Sequence, residues 1–182
     1  MKELSLNILD IAKNSTKALA SLVEIIIEEN KELLTITISD NGTGMTEDTL
    51  LSVTSPFSTS RTTRKVGMGI PLFKFAAEQT GGELVIKSKH IDEYPEEHGT
   101  STSASFYKNH IDFTPLGDVT SSIVTLIQGN PDIDFRFLHT TDSGEVSLDT
   151  RELREVLEEV PLDSFEVLSW IEENLREQYK SV

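Results

Sequence analysis

The chain has 182 residues, a hydrophobic fraction of 37% and a formal net charge of −15, which fit one globular domain with a modest appendage. Such a negative surface argues against a nucleic-acid partner, because phosphate backbones repel it. No apolar run is long enough to span a bilayer, no secretory signal opens the chain and there is no cysteine, so we expect a cytoplasmic protein with no membrane association.

The first third of the chain predicts a helix, a hairpin and a short second helix. Apolar residues recur at helical spacing over Leu4–Leu22. The β-rich runs Val23–Glu28 and Leu33–Ser39, separated by a polar turn, are typical of a hairpin. Asp40–Met45 is a glycine-rich loop, and Thr46 suits the N-cap of the short helix that follows.

The middle of the chain predicts a long loop, a helix and two strands. Ser52–Lys65 is rich in Ser and Thr without periodicity, which is typical of a lid or binding loop. Gly69–Thr80 is predicted to be helical and to end at the following glycine pair. Glu83–Ser88 and Thr100–Tyr107 are the predicted strands, with a polar excursion between them.

The last third predicts a helix over Pro115–Gln128, a hairpin formed by Ile133–His139 and Glu145–Leu148, and two acidic helices over Arg151–Val160 and Ser164–Tyr179. Strands therefore come as adjacent pairs and not in strict βαβ alternation. This order favours a mixed sheet with helices on one face, an α+β two-layer sandwich.

The charge divides the chain into two parts. Residues 1–109 carry 11 Lys and Arg against 15 Asp and Glu, whereas residues 110–182 carry 5 against 16. We therefore predict a domain over residues 1–109, followed by an acidic α/β extension over residues 110–182 whose role the sequence leaves open.

The first motif with chemical potential lies in the opening helix. A spacing of four places Asp10, Asn14 and Ala18 on one face. An Asn carbonyl oxygen together with phosphate oxygens suffices for Mg²⁺, and a carboxylate one turn earlier can accept a proton. A pair of polar residues on a solvated helix face is the alternative interpretation.

The second motif follows the second predicted strand. Gly42 and Gly44 let the backbone approach a ligand closely, and Asp40 at the strand end can accept a hydrogen bond from an exocyclic amine such as adenine N6. Met45 closes the motif. An ordinary turn is the alternative, because no further acids continue the pattern as a calcium loop requires.

The third motif leads into the helix that begins at Gly69. Glycines before a helix N-terminus let backbone N–H groups reach an anion. The span from Thr49 to Ala77 also holds no acid, and a basic island in an acidic protein favours a bound anion, although a chance gap in a surface loop is the alternative. The residues that make up this motif are Pro56, Phe57, Arg61, Arg64, Lys65, Gly67, Met68 and Gly69.

Together, in this order, the three motifs resemble the N, G1, F and G2 boxes of the GHKL superfamily, which contains gyrase B, the Hsp90 chaperone, histidine kinases and MutL. Gly99 and Thr100 before an alternating strand also resemble the Gly-Thr pair that closes the domain in histidine kinases. The resemblance covers roughly residues 4–107. It implies the Bergerat fold, with ATP held between helices under a mobile lid.

The resemblance also implies roles for single residues. Asn14 corresponds to the Mg²⁺ ligand, and Asp10 stands where the ATPase branches usually have a catalytic Glu. Asp40 corresponds to the carboxylate that reads adenine. The residues that would contact the base or the lid are Gly42, Gly44, Met45 and Phe57. The residues that would contact the phosphates are Gly67, Met68 and Gly69, joined by the cations Arg61, Arg64 and Lys65.

Beyond residue 109 the sequence resembles no known output domain of the superfamily. Segments around His110 and Asp149 resemble those of small stand-alone bacterial ATP-binding proteins. We expect the four histidines to be structural or solvent-facing and not phosphoacceptors.

Three functions remain open from the sequence. The first is a protein kinase or kinase-like regulator acting on a separate partner, as do the stand-alone serine kinases of anti-sigma switches. The second is an ATP-driven conformational switch or weak ATPase that depends on Asp10. The third is a non-catalytic ATP-sensing module that docks a protein partner through its acidic C-terminal part, with Trp170 and Leu175 at the surface.

Overall fold

The structure, a computed structural model, describes residues 3–54 and 68–182. Within these ranges the chain forms six helices and six strands, and none of the helices is long and apolar enough to cross a membrane. The helices are α1 (Leu4–Lys17), α2 (Glu47–Thr54), α3 (Gly69–Gln79), α4 (Val119–Gly129), α5 (Thr150–Leu157) and α6 (Phe165–Tyr179). The strands are β1 (Leu22–Glu29), β2 (Leu33–Asp40), β3 (Leu84–Lys89), β4 (Gly99–Tyr107), β5 (Asp134–Thr140) and β6 (Glu145–Asp149).

All six strands form one mixed sheet in the order β3-β4-β2-β1-β5-β6. Four of the five strand pairs are antiparallel, and β1 pairs with β5 in parallel. The predicted hairpins β1–β2 and β5–β6 are confirmed, and so is the α+β class with a mixed sheet. The sequence did not predict that β5 pairs with β1, because a parallel pair joins segments that are distant in the chain and leaves no local turn signal.

The hydrophobic core lies on one face of this sheet, where alternate strand residues meet the apolar stripes of the helices. Burying each large side chain contributes roughly 1.5–3 kcal/mol relative to exposing it. The largest fully buried side chains are Phe73, Phe106, Phe135, Phe137, Leu4, Ile8, Ile25, Ile27, Leu34, Ile36, Ile38 and Ile123.

The opening helix is shorter than predicted, because α1 ends at Lys17 and Leu22 already belongs to β1. Leu19 adopts a left-handed conformation with φ 59°, its N–H donates to Thr16 O, and the Ala20 N–H donates to Ser15 O. This pattern is a Schellman motif, in which the left-handed residue is usually glycine. Apolar periodicity continued past Lys17 because the next strand also begins with apolar residues.

Other element boundaries differ by a few residues. Helix α2 extends to Thr54, so Ser52 is helical and does not belong to a loop. Helix α4 begins at Val119 and not at Pro115, because the Asp118 carboxylate caps it by accepting from the Ser121 N–H. The Asp118 carboxylate satisfies an N–H group that the first turn of the helix leaves without an acceptor, and Pro115 cannot do this.

Residues 110–182 pack against the N-terminal helix as well as joining the sheet. Leu4 N–H donates to Pro115 O at 2.9 Å, and Ser5 N–H donates to Leu116 O at 2.8 Å. The Ser122 hydroxyl of α4 donates to Ser5 O at 3.1 Å. Helix α1 is therefore held on this flank by the C-terminal part. The division into a domain over residues 1–109 and an extension over residues 110–182 stays a prediction.

A buried histidine joins three elements at the end of the sheet. His139 of β5 is 3% exposed, and its Nε2–H donates to the Glu29 carboxylate at 3.1 Å. Its Nδ1 therefore accepts from the Tyr179 hydroxyl of α6, at 2.9 Å. Burial lowers the pKa of the His139 imidazole below its ordinary 6.5, an effect that Glu29 partly offsets and Lys108 increases.

This histidine predicts a pH dependence of stability. Because its pKa is lower in the folded protein, the unfolded chain takes up a proton first, and stability is lost as the pH falls below about 6.5. We expect the unfolding free energy, measured by urea denaturation, to fall between pH 7 and pH 5, with a contribution from one group of at most about 1.4 kcal/mol per pH unit.

The His139→Gln variant should show a shallower loss over this pH range, whereas His110→Gln, which changes an exposed histidine, should keep the wild-type slope. Parallel curves for wild type and His139→Gln would contradict the assignment.

Candidate functional site

A cavity of about 380 Å³ lies between α1, α2, the start of α3 and the ends of β2 and β4. Its lining combines an apolar surface with a few polar groups, which is the usual composition of a small-molecule site. The lining residues are Ile11, Asn14, Ser15, Lys17, Ala18, Ile38, Asp40, Gly44, Met45, Thr49, Val53, Ile70, Thr100 and Thr102. Residues of the first and second motifs thus meet in one place, together with Ile70, which follows the glycines of the third motif.

Helix α1 contributes the residues of the first motif. Asn14 and Ala18 line the cavity, and no hydrogen bond joins the Asn14 side chain to another described residue. Asp10 lies one turn earlier with an exposed side chain, beside the first residue of α3. A Cβ on Gly69 would lie 3.1 Å from the Asp10 Cβ, so the two helices approach closely at this point.

Asp40 ends β2 with its carboxylate in two different environments. Its Oδ1 accepts from the Gly42 N–H at 2.9 Å and from the Thr100 N–H at 3.3 Å. Its Oδ2 has no hydrogen-bond partner within residues 3–54 and 68–182. These bonds fix the orientation of the carboxylate, and they leave one oxygen for a donor on a ligand.

Gly42 packs directly against the end of α1. A Cβ there would lie 2.6 Å from Ala18 O, which no side chain can tolerate. The neighbouring Thr43 N–H donates to the same Ala18 carbonyl oxygen at 2.8 Å. Glycine is therefore required at this position for the loop to join the helix, which turns Asp40 toward the cavity.

Gly44 is required for a different reason. Its φ is +69°, and a Cβ there would lie 2.0 Å from Lys89 O. Beyond it, the Met45 N–H donates to the Ser88 hydroxyl at 2.7 Å. The Ser88 hydroxyl also bonds the Thr100 hydroxyl at 2.8 Å. The loop is thus held to β3 and β4, and Met45 packs partly buried against the core.

His98 has a site-supporting role that sequence reasoning missed. Its Nδ1 lies 2.6 Å from Gly42 O, and since a carbonyl oxygen only accepts, the ring donates this bond. The expectation that this histidine is structural agrees with the bond, but its contact with the glycine-rich loop has no sequence signal. The two residues are 56 positions apart.

Lys17 is a second lining residue that sequence reasoning missed, and it supplies the only cation among the described residues of the lining. Its position three residues after Asn14 places it near the same face of α1, which is the signal that could have found it. A cation here favours an anionic ligand.

The start of α3 offers backbone donors beside the cavity, which Ile70 lines. The first N–H groups of a helix have no helical acceptor, and their end of the helix dipole is positive. Proline at position 71 removes one of these donors, and the N–H groups of Gly69 and Ile70 remain. Met68 is 71% exposed just before them. This arrangement suits an anion such as a phosphate.

Several predicted contact residues lie outside the described residues, namely Pro56, Phe57, Arg61, Arg64, Lys65 and Gly67. Their predicted roles stay predictions. Within the described ranges, no group of three or more His, Asp and Glu residues could hold a metal ion. A metal at this site would therefore depend on ligand oxygens together with the Asn14 carbonyl oxygen, which is the pattern that Mg²⁺ tolerates.

One comparison with known proteins identifies a family, and two solved structures share the fold. A family model described as histidine kinase-, DNA gyrase B-, and HSP90-like ATPase matches residues 1–115. The solved Aquifex aeolicus MutL ATPase domain complexed with ADP aligns with a TM-score of 0.57 and 16% identity, covering 87% of this chain and 70% of that chain.

The N-terminal domain of a DNA repair protein, also solved, aligns with a TM-score of 0.55 and 19% identity. The alignment covers 81% of this chain and 53% of the other, so the chain spans about half the length of that structure. At these identities both structures show a shared fold only. No curated protein sequence gives a significant match.

Alanine substitution should have different effects at Gly44, in the loop, and at Gly129, at the end of α4. Gly44→Ala places a Cβ against Lys89 O in a left-handed conformation, so we expect a loss of about 1–3 kcal/mol in unfolding free energy. We also expect at least a tenfold loss in ATP affinity by calorimetry. Gly129→Ala is the matched control, because no atom lies within 4 Å of its added Cβ, and both quantities should stay near wild type. Equal behaviour of the two variants would contradict the analysis of the loop.

Proposed function

This chain belongs to the family of histidine kinase-, DNA gyrase B- and HSP90-like ATPases, and it carries their ATP-binding domain; from that premise we propose that it binds ATP with Mg²⁺ and transfers the terminal phosphoryl group to a separate protein. The observation that carries this proposal is the Asp40 carboxylate, which lines a partly apolar cavity and has one oxygen without a hydrogen-bond partner among the described residues. The exocyclic amine of adenine is the donor this oxygen suits, and Ile38, Met45 and Val53 offer apolar contact to the base.

The phosphate groups would lie between α1 and the start of α3. Asn14 and Lys17 line the cavity from α1, Ile70 lines it from α3, and Gly69 begins α3 beside Asp10. The Asn14 side chain, which has no hydrogen-bond partner in the described part of the chain, fits a Mg²⁺ site, and bound Mg²⁺ would neutralise phosphate charge there. Lys17 and the helix N-terminus stabilise the same charge from the protein side.

Asp10 is the proposed catalytic residue. Its exposed carboxylate stands at the edge of the phosphate end, where an incoming hydroxyl group can reach it. In the proposed step the hydroxyl oxygen forms a bond to the terminal phosphorus, the bond from that phosphorus to the bridging oxygen breaks, and ADP leaves. Asp10 accepts the hydroxyl proton.

The positions of the four histidines support a phosphoryl acceptor on another molecule. None of these histidines lines the cavity, so none is placed to accept the phosphoryl group itself. His98 is bonded to Gly42 O, and His139 is buried against Glu29 and Tyr179. His90 and His110 lie beside Asp92 and Asp112, which follow them in the chain.

Water is the competing acceptor, and the exposure of Asp10 is the observation that favours it. In that case the protein is a weak ATPase or an ATP-driven switch. ATP labelled at the terminal phosphate separates the two functions: label recovered on a protein partner supports transfer, and label recovered as free phosphate supports hydrolysis.

Asp10→Asn should reduce the rate of transfer or of hydrolysis by a factor of about 100 or more while ATP still binds. An unchanged rate would remove Asp10 from the chemistry.

A partner could bind through the acidic C-terminal part, as expected from its charge. Leu175 cannot belong to such a surface, because it is fully buried in α6, which corrects the sequence interpretation. Trp170 is 50% exposed on the same helix and remains available. That a partner docks at this surface stays a prediction. The function as a non-catalytic ATP-sensing module and the cytoplasmic location also stay predictions.

Asp40 predicts the base preference of the site. Asp40→Asn keeps the size of the side chain but replaces the free carboxylate oxygen, so we expect ATP affinity to fall by about 10- to 100-fold, which corresponds to the loss of one charge-assisted hydrogen bond. Wild type should also prefer ATP over GTP by at least about tenfold, since guanine presents a carbonyl oxygen where adenine has its amine.

Calorimetric titration of both nucleotides with Mg²⁺ measures these affinities. Asp142→Asn, which changes an exposed acid in the β5–β6 turn, is the matched control and should bind like wild type. Equal affinities for ATP and GTP in wild type would contradict adenine recognition by Asp40.

A further inference from the structure

Asn7 carries a buried amide group that the fold does not use. The residue is 2% exposed, and its Nδ2 has no hydrogen-bond acceptor among residues 3–54 and 68–182. Buried polar groups nearly always have a partner, and an unpaired buried donor destabilises the folded state. A side chain of this kind on a helix that forms a ligand site is a candidate for a role in the bound protein.

The position of Asn7 on α1 places it one turn before Asp10. Asp10 and Ile11 follow it by three and four residues, so the three side chains are neighbours on one face of α1. A Cβ on Gly69 would lie 3.1 Å from the Asp10 Cβ and 3.9 Å from the Ile11 Cδ1, which places the first residue of α3 over this face. The opposite flank of α1 is marked by Ser5, whose carbonyl oxygen accepts from α4.

Asp10 is the carboxylate that the i, i+3 spacing of the helix places next to Asn7. No hydrogen bond or ion pair joins its carboxylate to another described residue, and its side chain is exposed to water. Ligand binding and closure of a site displace such water, and a carboxylate that loses water requires donors from the protein. Side chains at positions i and i+3 of a helix have Cβ atoms about 5–6 Å apart, a separation that an Asn–Asp hydrogen bond spans.

We propose that Asn7 is a positioning residue for Asp10: in the ATP-bound protein its Nδ2–H donates to the Asp10 carboxylate and fixes its orientation toward the phosphate end. The proposal rests on the proposed function, in which Asp10 accepts the proton of the attacking hydroxyl. A neutral amide orients the carboxylate without cancelling its charge. A Lys or Arg at position 7 would pair with the carboxylate and compete with the proton that it has to accept.

Asn7→Leu tests the proposal, because leucine matches asparagine in size and removes the amide. We expect the loss of the terminal phosphate from ATP to slow at least tenfold in kcat, with affinity for a non-hydrolysable ATP analogue within twofold of wild type. The thermal midpoint should stay level or rise, since an unpaired donor has been removed. Ser5→Ala, which changes a buried polar residue on the opposite flank of α1, should leave kcat unchanged. An unchanged kcat in Asn7→Leu would overturn the proposal.

The double variant with Asp10→Asn separates positioning from a general structural effect. If Asn7 acts through Asp10, Asn7→Leu has no further effect on kcat when Asp10 is already replaced. An equal loss in both backgrounds would show that Asn7 acts independently and would overturn the proposal. If Asp10→Asn alone leaves kcat unchanged, the proposed function fails at Asp10, an outcome distinct from failure of the Asn7–Asp10 bond.

A spectroscopic measurement tests the bond whether or not the wild type turns over ATP. The side-chain amide signals of Asn7, assigned by comparison with Asn7→Leu, should shift and become protected from hydrogen exchange when the ATP analogue and Mg²⁺ are added. In Asp10→Ala the analogue should bind without this change. An Asn7 signal that responds to nucleotide equally in wild type and in Asp10→Ala, or in neither, would overturn the proposal.

Discussion

The junction between the end of α1 and the glycine-rich loop is the contact on which the site depends. The Ala18 carbonyl oxygen accepts from the Thr43 N–H, and Gly42 packs so closely on Ala18 that a side chain is excluded. With that carbonyl bound to the loop, the helix ends in its Schellman turn and the chain enters β1. The same contact turns Asp40 from the end of β2 toward the face of α1 that carries Asn14.

The C-terminal part of the chain supports this site from a distance. Its strands extend the sheet beside β1, and the segment before α4 accepts the first N–H groups of α1, at Pro115 and Leu116. Helix α1 is therefore fixed between α4 on one flank and α3 on the other, where Gly69 meets Asp10. An acidic extension with no recognisable output function thus still contributes to the orientation of the proposed catalytic helix.

The parts of the site that could be predicted are those that depend on residues close together in the sequence. Spacing of four along a helix and glycines after a strand depend on local backbone geometry, and Asn14, Ala18, Asp40 and Gly44 from these two motifs line one cavity. His98 and Lys17 were missed. His98 reaches Gly42 across 56 residues, and Lys17 carries no pattern apart from its distance to Asn14.

By itself, the sequence determined the element types, the hairpins and the family, because periodicity, turn residues and glycine requirements act over a few residues. Tertiary structure contributed to where α1 ends, since the carbonyl oxygen of Ala18, its C-cap, accepts from Thr43 in the loop that follows β2. It also decided the parallel pairing of β1 with β5, the burial of Leu175 and the unpaired amide of Asn7. Each of these depends on contacts between segments that are distant in the sequence, and a local pattern of residue types does not predict such contacts.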